Sequence, residues 1–273
     1  MVKALLFYMA ILAAAPANKI HKAIDQARQK VLEKNRKEAS QLLLGAIAEE
    51  HNEPKKAELK SELVRLSTLF MTNEGQRLFE LAESIRFSGE TNYMSKYEEA
   101  LQLEDLNWNI LISQSVGWLR QKECMKAKES LQLADEILPD TEEVQILKIS
   151  VQLCEDPNNV PVQTFDSLRI KKHELFKRKL KACALVQGGQ RESGLAVARD
   201  TIAMDSKYPS GYYWAWAAIK DEENVGLNEA QSYLSLCKEL TAAQRRMYAL
   251  DPELCLDTTS VEKFIKKVES QSQ

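Results

Sequence analysis

The stretch AKESLQLADEILPD, residues 127–140, decides the fold. Its small and bulky residues follow the order A-x3-L-x2-A-x4-P, which places Ala127, Leu131, Ala134 and Pro139. Ala127 and Ala134 let a neighbouring helix approach closely. Leu131 fills the space between them, and Pro139 stops the helix because it has no backbone N–H to donate. Such a helix cannot bury its apolar stripe alone, so partners of matching relief should recur along the chain.

They do recur. One repeat length earlier, about 34 residues, Tyr93, Tyr97, Ala100 and Asp105 hold the same places in YMSKYEEALQLEDLN. Near the start, Ala39, Leu43 and Ala46 keep the spacing, with Ala27 in the preceding helix. Further on, Gly194, Ala198 and Thr201 occupy the three packing positions ahead of the exit MDSKYP. Partner helices lie beside these. Residues 108–121 carry Leu111, Ser115 and Trp118 at one-turn spacings, and residues 210–219 carry Tyr212, Trp216 and Ile219. Apolar residues fall at i, i+3, i+4 and i+7, the helical period.

The same period predicts one long helix over 54–71 and another over 141–154, followed by the turn EDPNNVPV. QGGQ, residues 187–190, reads as a turn with glycine for a left-handed cap. ALDP, residues 249–252, is expected to end a long helix. Residues 258–270 are expected to form a terminal helix over the last apolar face. No alternating run is long enough for a sheet, so the expected class is all-α.

These segments resemble the second helix and exit turn of the tetratricopeptide repeat. The likeness is strongest over 108–139 and extends to 74–105 and 175–206. It implies a right-handed α-solenoid of antiparallel helix pairs over 18–273, with a C-terminal capping helix. First helices would line a concave groove that binds a peptide or protein, without catalysis and without a cofactor. Tyr93 departs from the pattern, and Trp216 stands where a small residue is usual. The groove positions implied are Asn109, Ser113 and Val116 in one repeat, Lys179 and Cys183 in another, and Tyr213 and Ala217 in a third. The lysine and asparagine clamp that some members use for C-terminal carboxylates is missing from this set. In GYYWAW, residues 211–216, Tyr213 and Trp214 would form a contact platform; the alternative is that all four aromatics are core.

Composition narrows the function classes. The chain has 273 residues, 44% hydrophobic and 28% charged, enough apolar content to fold. A formal charge of -3 gives no field that would attract nucleic acid, and none is expected as a partner. Lys3 precedes an apolar run over 4–15, and Ala15-Pro16-Ala17 supplies a small-x-small site. Residues 1–17 therefore read as a secretory signal cleaved after Ala17, which predicts a periplasmic or secreted protein of a bacterial envelope; the alternative is a buried first helix. The run is too short to span a bilayer, which takes about 20 residues, so no transmembrane segment is expected in the mature chain.

Five cysteines, an odd number, do not suggest a dense disulfide framework. Cys124 and Cys154 sit at equivalent turns of successive repeats and could be bridged in an oxidising compartment. No C-x2-C pair occurs, and His21, His51 and His173 are the only histidines, so no metal site is expected. No phosphate-binding glycine loop, H-E-x-x-H or G-x-S-x-G is present. Glu49-Glu50, Glu98-Glu99 and Glu142-Glu143 read as solvated faces, and His173 as an exposed helix residue. Arg169, Lys171, Lys172, Lys177, Arg178, Lys179 and Lys181 crowd one stretch. Helical geometry spreads them around the cylinder, leaving either a solvated surface or a patch for an acidic partner. Two further classes remain beside the groove reading: an accessory protein enclosing a small ligand, and an enzyme with an unrecognised site.

Overall fold

Fifteen helices and no strand make up the residues that this computed structural model describes, 19–158, 161–221 and 225–271. The expected signal, residues 1–17, lies outside them. Among the described residues no helix is long and apolar enough to cross a membrane. Residues up to Leu69 form one compact unit, and those from Phe70 onward a second.

The first unit holds α1 (Lys19–Leu32), α2 (Arg36–Glu49) and α3 (Glu53–Thr68). Asn35 and Asn52 start the latter two by accepting hydrogen bonds from the backbone N–H three residues on. Ile20, Ile24, Ala27 and Val31 bury one stripe of α1 against α2 and α3, meeting Ala39, Leu43, Leu59 and Leu63. Glu62 of α3 is buried and ties this packing down. It accepts from Arg65 Nε at 2.8 Å and from Arg28 Nε at 2.8 Å, joining α3 to α1. The Arg65 hydrogen bond, aided by Arg28, overcomes the burial cost and holds the Glu62 carboxyl at about 2, below its ordinary 4.5. A depressed carboxyl stabilises the fold fully above its unfolded pKa and loses that contribution as pH falls through the folded value. Acid titration of the wild-type chain should therefore show a loss of stability between about pH 4.5 and 2 that Glu62→Gln abolishes. Both arginines are half exposed, so solvent screening limits the cost of that variant at pH 7 to about 1 kcal/mol. Identical acid profiles for the two chains would remove Glu62 from this role.

The second unit stacks helices in consecutive pairs. α4 (Asn73–Ser88) packs on α5 (Met94–Glu104), and α6 (Trp108–Arg120) on α7 (Cys124–Ile137). α8 (Glu142–Glu155) follows with the short α9 (Gln163–Ser167). Next come α10 (Glu174–Gln187) with α11 (Arg191–Met204), and α12 (Pro209–Ile219) with α13 (Leu227–Glu239). Then α14 (Ala242–Met247) leads to α15 (Thr258–Gln271), which covers α13 with Val261 and Val268. Threonine or asparagine caps start α4, α6 and α8, and Gly89 ends α4 in the left-handed conformation.

The α6–α7 crossing has the close approach that the alanine spacing predicts. Ala127 and Ala134 are fully buried, Leu131 and Leu111 nearly so, and Ser115 Oγ donates to the Ala127 carbonyl at 3.1 Å. In the α10–α11 pair Gly194 takes the first small position. A Cβ there would stand 2.6 Å from Val186 Cγ2 and 3.2 Å from the Val186 nitrogen, so any side chain would have to push Val186 aside. Ala134→Leu should overpack the α6–α7 crossing and cost about 1–3 kcal/mol. An unchanged urea midpoint would argue against this packing.

The expected long helix ending at ALDP is not present. α13 stops at Glu239 and Leu240 is extended. Thr241 starts the six-residue α14 with a capping box through Gln244. The chain then runs through consecutive turns, with the N–H of Asp251, Leu254 and Leu256 donating to carbonyls three residues back. The reason is tertiary: this segment bonds to the first helices of the second unit.

Candidate functional site

Residues 241–257 form a strap across the face made by α4, α6, α10 and α12. Arg86 of α4 donates to the Ala249 carbonyl at 2.9 Å. Arg120, at the end of α6, donates to the carbonyls of Pro252 and Leu254 at 3.2 and 3.1 Å. Lys179 of α10 contacts Asp251 at 3.1 Å and Glu253 at 2.5 Å. Tyr208 and Ser210, at the start of α12, donate to Asp251 at 2.7 and 2.5 Å. In a flat layer α4 and α12 would stand about 40 Å apart, at about 10 Å per step. Here they grip residues 249 and 251, which are no more than about 7 Å apart. The face of first helices is therefore concave, and the strap fills it.

The electrostatics follow from this closure. Lys179 is fully buried, and burial alone would disfavour its ammonium. The Asp251 and Glu253 carboxylates outweigh that cost and raise its pKa above the ordinary value. Burial likewise works against charge on Glu253, but Lys179 and Lys122 hold its carboxyl below the usual range. The Cys183 thiol lies beside this pair and is pushed up, chiefly by burial. Tyr208 is raised by burial and by Asp251, so its hydroxyl stays protonated and donates. Tyr248 closes the other side of the strap, its ring tilted by 38° against Tyr208 with centroids 4.7 Å apart and its hydroxyl donating to Asp205 at 2.8 Å.

A covalent bond fixes the strap. Cys237 of α13 is joined to Cys255, with Cα atoms 5.5 Å apart. Cys124 and Cys154 form a second disulfide, Cα atoms 5.7 Å apart, between the starts and ends of successive helices α7 and α8. Cys183 keeps a free, buried thiol. Five cysteines thus make two bridges and one core residue, which the odd count concealed.

The groove residues expected from sequence fall into two groups. Tyr213, Asn109 and Ser113 are part-exposed on first helices. Trp214 and Ala217 are buried, and Lys179 is buried under the strap rather than open to a partner. The Tyr213 ring packs edge-on to Trp214 at 5.2 Å and near Tyr233 at 5.3 Å, while its hydroxyl donates to Asp257 at 3.2 Å. Tyr213, Trp214 and Tyr233 wall a recess of about 310 Å³, with Lys122, Gln187, Glu253 and Asp257 around it.

The basic stretch is dispersed. Arg169, Lys171 and Lys172 are exposed. Lys177 and Arg178 pair with Glu174 at 2.8 and 3.0 Å, and Lys181 with Asp166 at 2.7 Å. Half of the expected acidic-partner patch is therefore neutralised within the chain. His173 is half-buried rather than exposed, and its Nε2 lies 3.0 Å from Glu143.

Sequence reasoning missed Asp251, Glu253, Arg86, Arg120 and Cys255. The available signal was Asp-Pro-Glu between Tyr248 and Cys255, a turn-forming acidic segment that was read only as the end of a long helix. No protein-family model matches this chain, and no curated protein is significantly similar to it.

Proposed function

We propose that this chain is an exported interaction protein of the tetratricopeptide kind, a right-handed superhelix that binds a peptide or protein segment on the face of its first helices. The observation that carries this reading is the recess beside the strap. Its middle neighbours are closed by residues 248–255, but Tyr213 stays part-exposed on α12, backed by the buried Trp214 and Tyr233. Aromatic side chains of this kind supply large contact area at low entropic cost and dominate binding energy where they cluster. The two disulfides support export, since such bonds persist in oxidising compartments.

Leu256 lies on the rim of the recess and is 40% exposed. A photo-crosslinking group placed there should capture a partner from envelope extract. Tyr213→Ala should weaken that partner's binding by about 2 kcal/mol, roughly 30-fold. The ring also packs on its neighbours, so Tyr213→Phe serves as the control that keeps packing and loses only the Asp257 hydrogen bond. A folded Tyr213→Ala chain that binds the captured partner as tightly as wild type would sink the proposal.

A further inference from the structure

Two guanidinium groups meet where α6, α14 and the strap converge, and no carboxylate compensates them. Arg120 gives one terminal nitrogen to the carbonyls of Pro252 and Leu254. Arg245 of α14 has no side-chain hydrogen bond or ion pair among the described residues. Arg86, the third arginine in the same place, differs: it is paired with Glu83 at 2.9 Å. The carboxylate that lines the same recess is Asp251, and it already accepts from Tyr208, Ser210 and the Glu253 N–H while facing Lys179. The recess between these groups has a volume of about 20 Å³, with Phe87, Val116 and Leu254 forming its apolar wall. That is room for about one oxygen atom. Arg245 is only part-buried, so the recess reaches solvent.

Two like charges held together in a partly desolvated place repel each other unless an anion lies between them. Burial, and after it the charge of Arg120, lowers the Arg245 pKa, the direction expected of a cation that lacks its counter-charge. Guanidinium groups present planar pairs of N–H donors that match the oxygens of carboxylate and phosphate. We propose that Arg120 and Arg245 form an oxyanion-binding site that takes one oxygen of a carboxylate or phosphate group into this recess. The bound anion bridges α6 to α14, and so ties the strap to the stack of helices independently of Lys179. The inference does not rest on the peptide-binding reading, since the recess is separate from the one at Tyr213.

Thermal unfolding of the full chain tests the proposal in phosphate, in acetate and in chloride at matched ionic strength. At saturating anion the wild-type midpoint should rise by about 2–4 °C over chloride. Arg245→Gln should lose that increment while unfolding in chloride at the wild-type temperature or higher, because the repulsion is relieved. Arg245→Lys, which keeps the charge, should retain part of the increment. A response to phosphate alone identifies a phosphate ligand, and a response to acetate as well identifies a carboxylate-tolerant site. Equal shifts in wild type and Arg245→Gln would mean a general salt effect and overturn the proposal. Should Arg245→Gln fail to fold, phosphorus NMR of phosphate with the wild-type chain decides instead. Saturable broadening at one equivalent supports the site, and its absence overturns it.

Discussion

Lys179→Met should destabilise the second unit by about 3–5 kcal/mol, the cost of leaving the buried Asp251 and the part-buried Glu253 without their cation. Lys179 is fully buried and is the cation closest to both Asp251 and Glu253. Removing it leaves Asp251 with two hydroxyls and the Glu253 N–H but no cation, and Glu253 with the more distant Lys122 at 3.5 Å. The strap should then loosen before the helices melt, because apart from the Cys237–Cys255 bridge its other anchors are single hydrogen bonds. Urea unfolding measures the loss, and limited proteolysis locates it: new cuts should fall within 241–257. The double variant Lys179→Met with Asp251→Asn should recover part of the stability, since one unpaired charge is gone. A single variant as stable as wild type, with an uncut strap, would show that the ion pair adds nothing to the closure.

The second large effect is expected at Cys237–Cys255. This bridge closes a loop with a sequence separation of 18, and loss of such a cross-link costs about 3 kcal/mol through the freedom it restores to the unfolded chain. Cys255→Ser should lower the urea midpoint accordingly and make 241–257 sensitive to protease. Thiol counting under denaturing, non-reducing conditions should find one reactive thiol in wild type, from Cys183. Counting five would eliminate both bridges, and with them the support they lend to an oxidising compartment.

What the sequence disclosed and what it hid have a common physical origin. Ala127, Leu131 and Ala134 recur with a local period, and their packing partner Ser115 lies 12 residues away. Periodic text of that kind reports helix pairs directly, and the all-α class, the α6–α7 and α10–α11 crossings and the cover by α15 were legible from it. The strap has no period. Asp251 read only as part of a helix-ending turn, Glu253 carried no signal of its own, and Lys179 was one of seven cations in a crowded stretch. Nothing in their neighbours shows that Lys179 meets Glu253 across a sequence separation of 74. Cys237 and Cys255 were hidden in the same way, because counting cysteines reveals parity but not proximity. Tyr213 was placed on the right helix, while its neighbour Trp214 proved buried because α12 turns that side to the core.

The reach of the strap's contacts has a consequence for the order of folding. Each helix pair is closed by bonds between near neighbours in the chain, which form early because little loop entropy opposes them. The Arg86 hydrogen bond to Ala249 joins residues 163 apart, and the Arg120 bond to Leu254 joins residues 134 apart. Those contacts can form only on a stack that already exists. During synthesis the strap emerges after α4, α6, α10 and α12, so those helices spend time assembled without it. The closing step should therefore appear as a distinct late phase in refolding. Amide protons at 249–257 should exchange by opening of the strap alone, well ahead of those in α6 and α7.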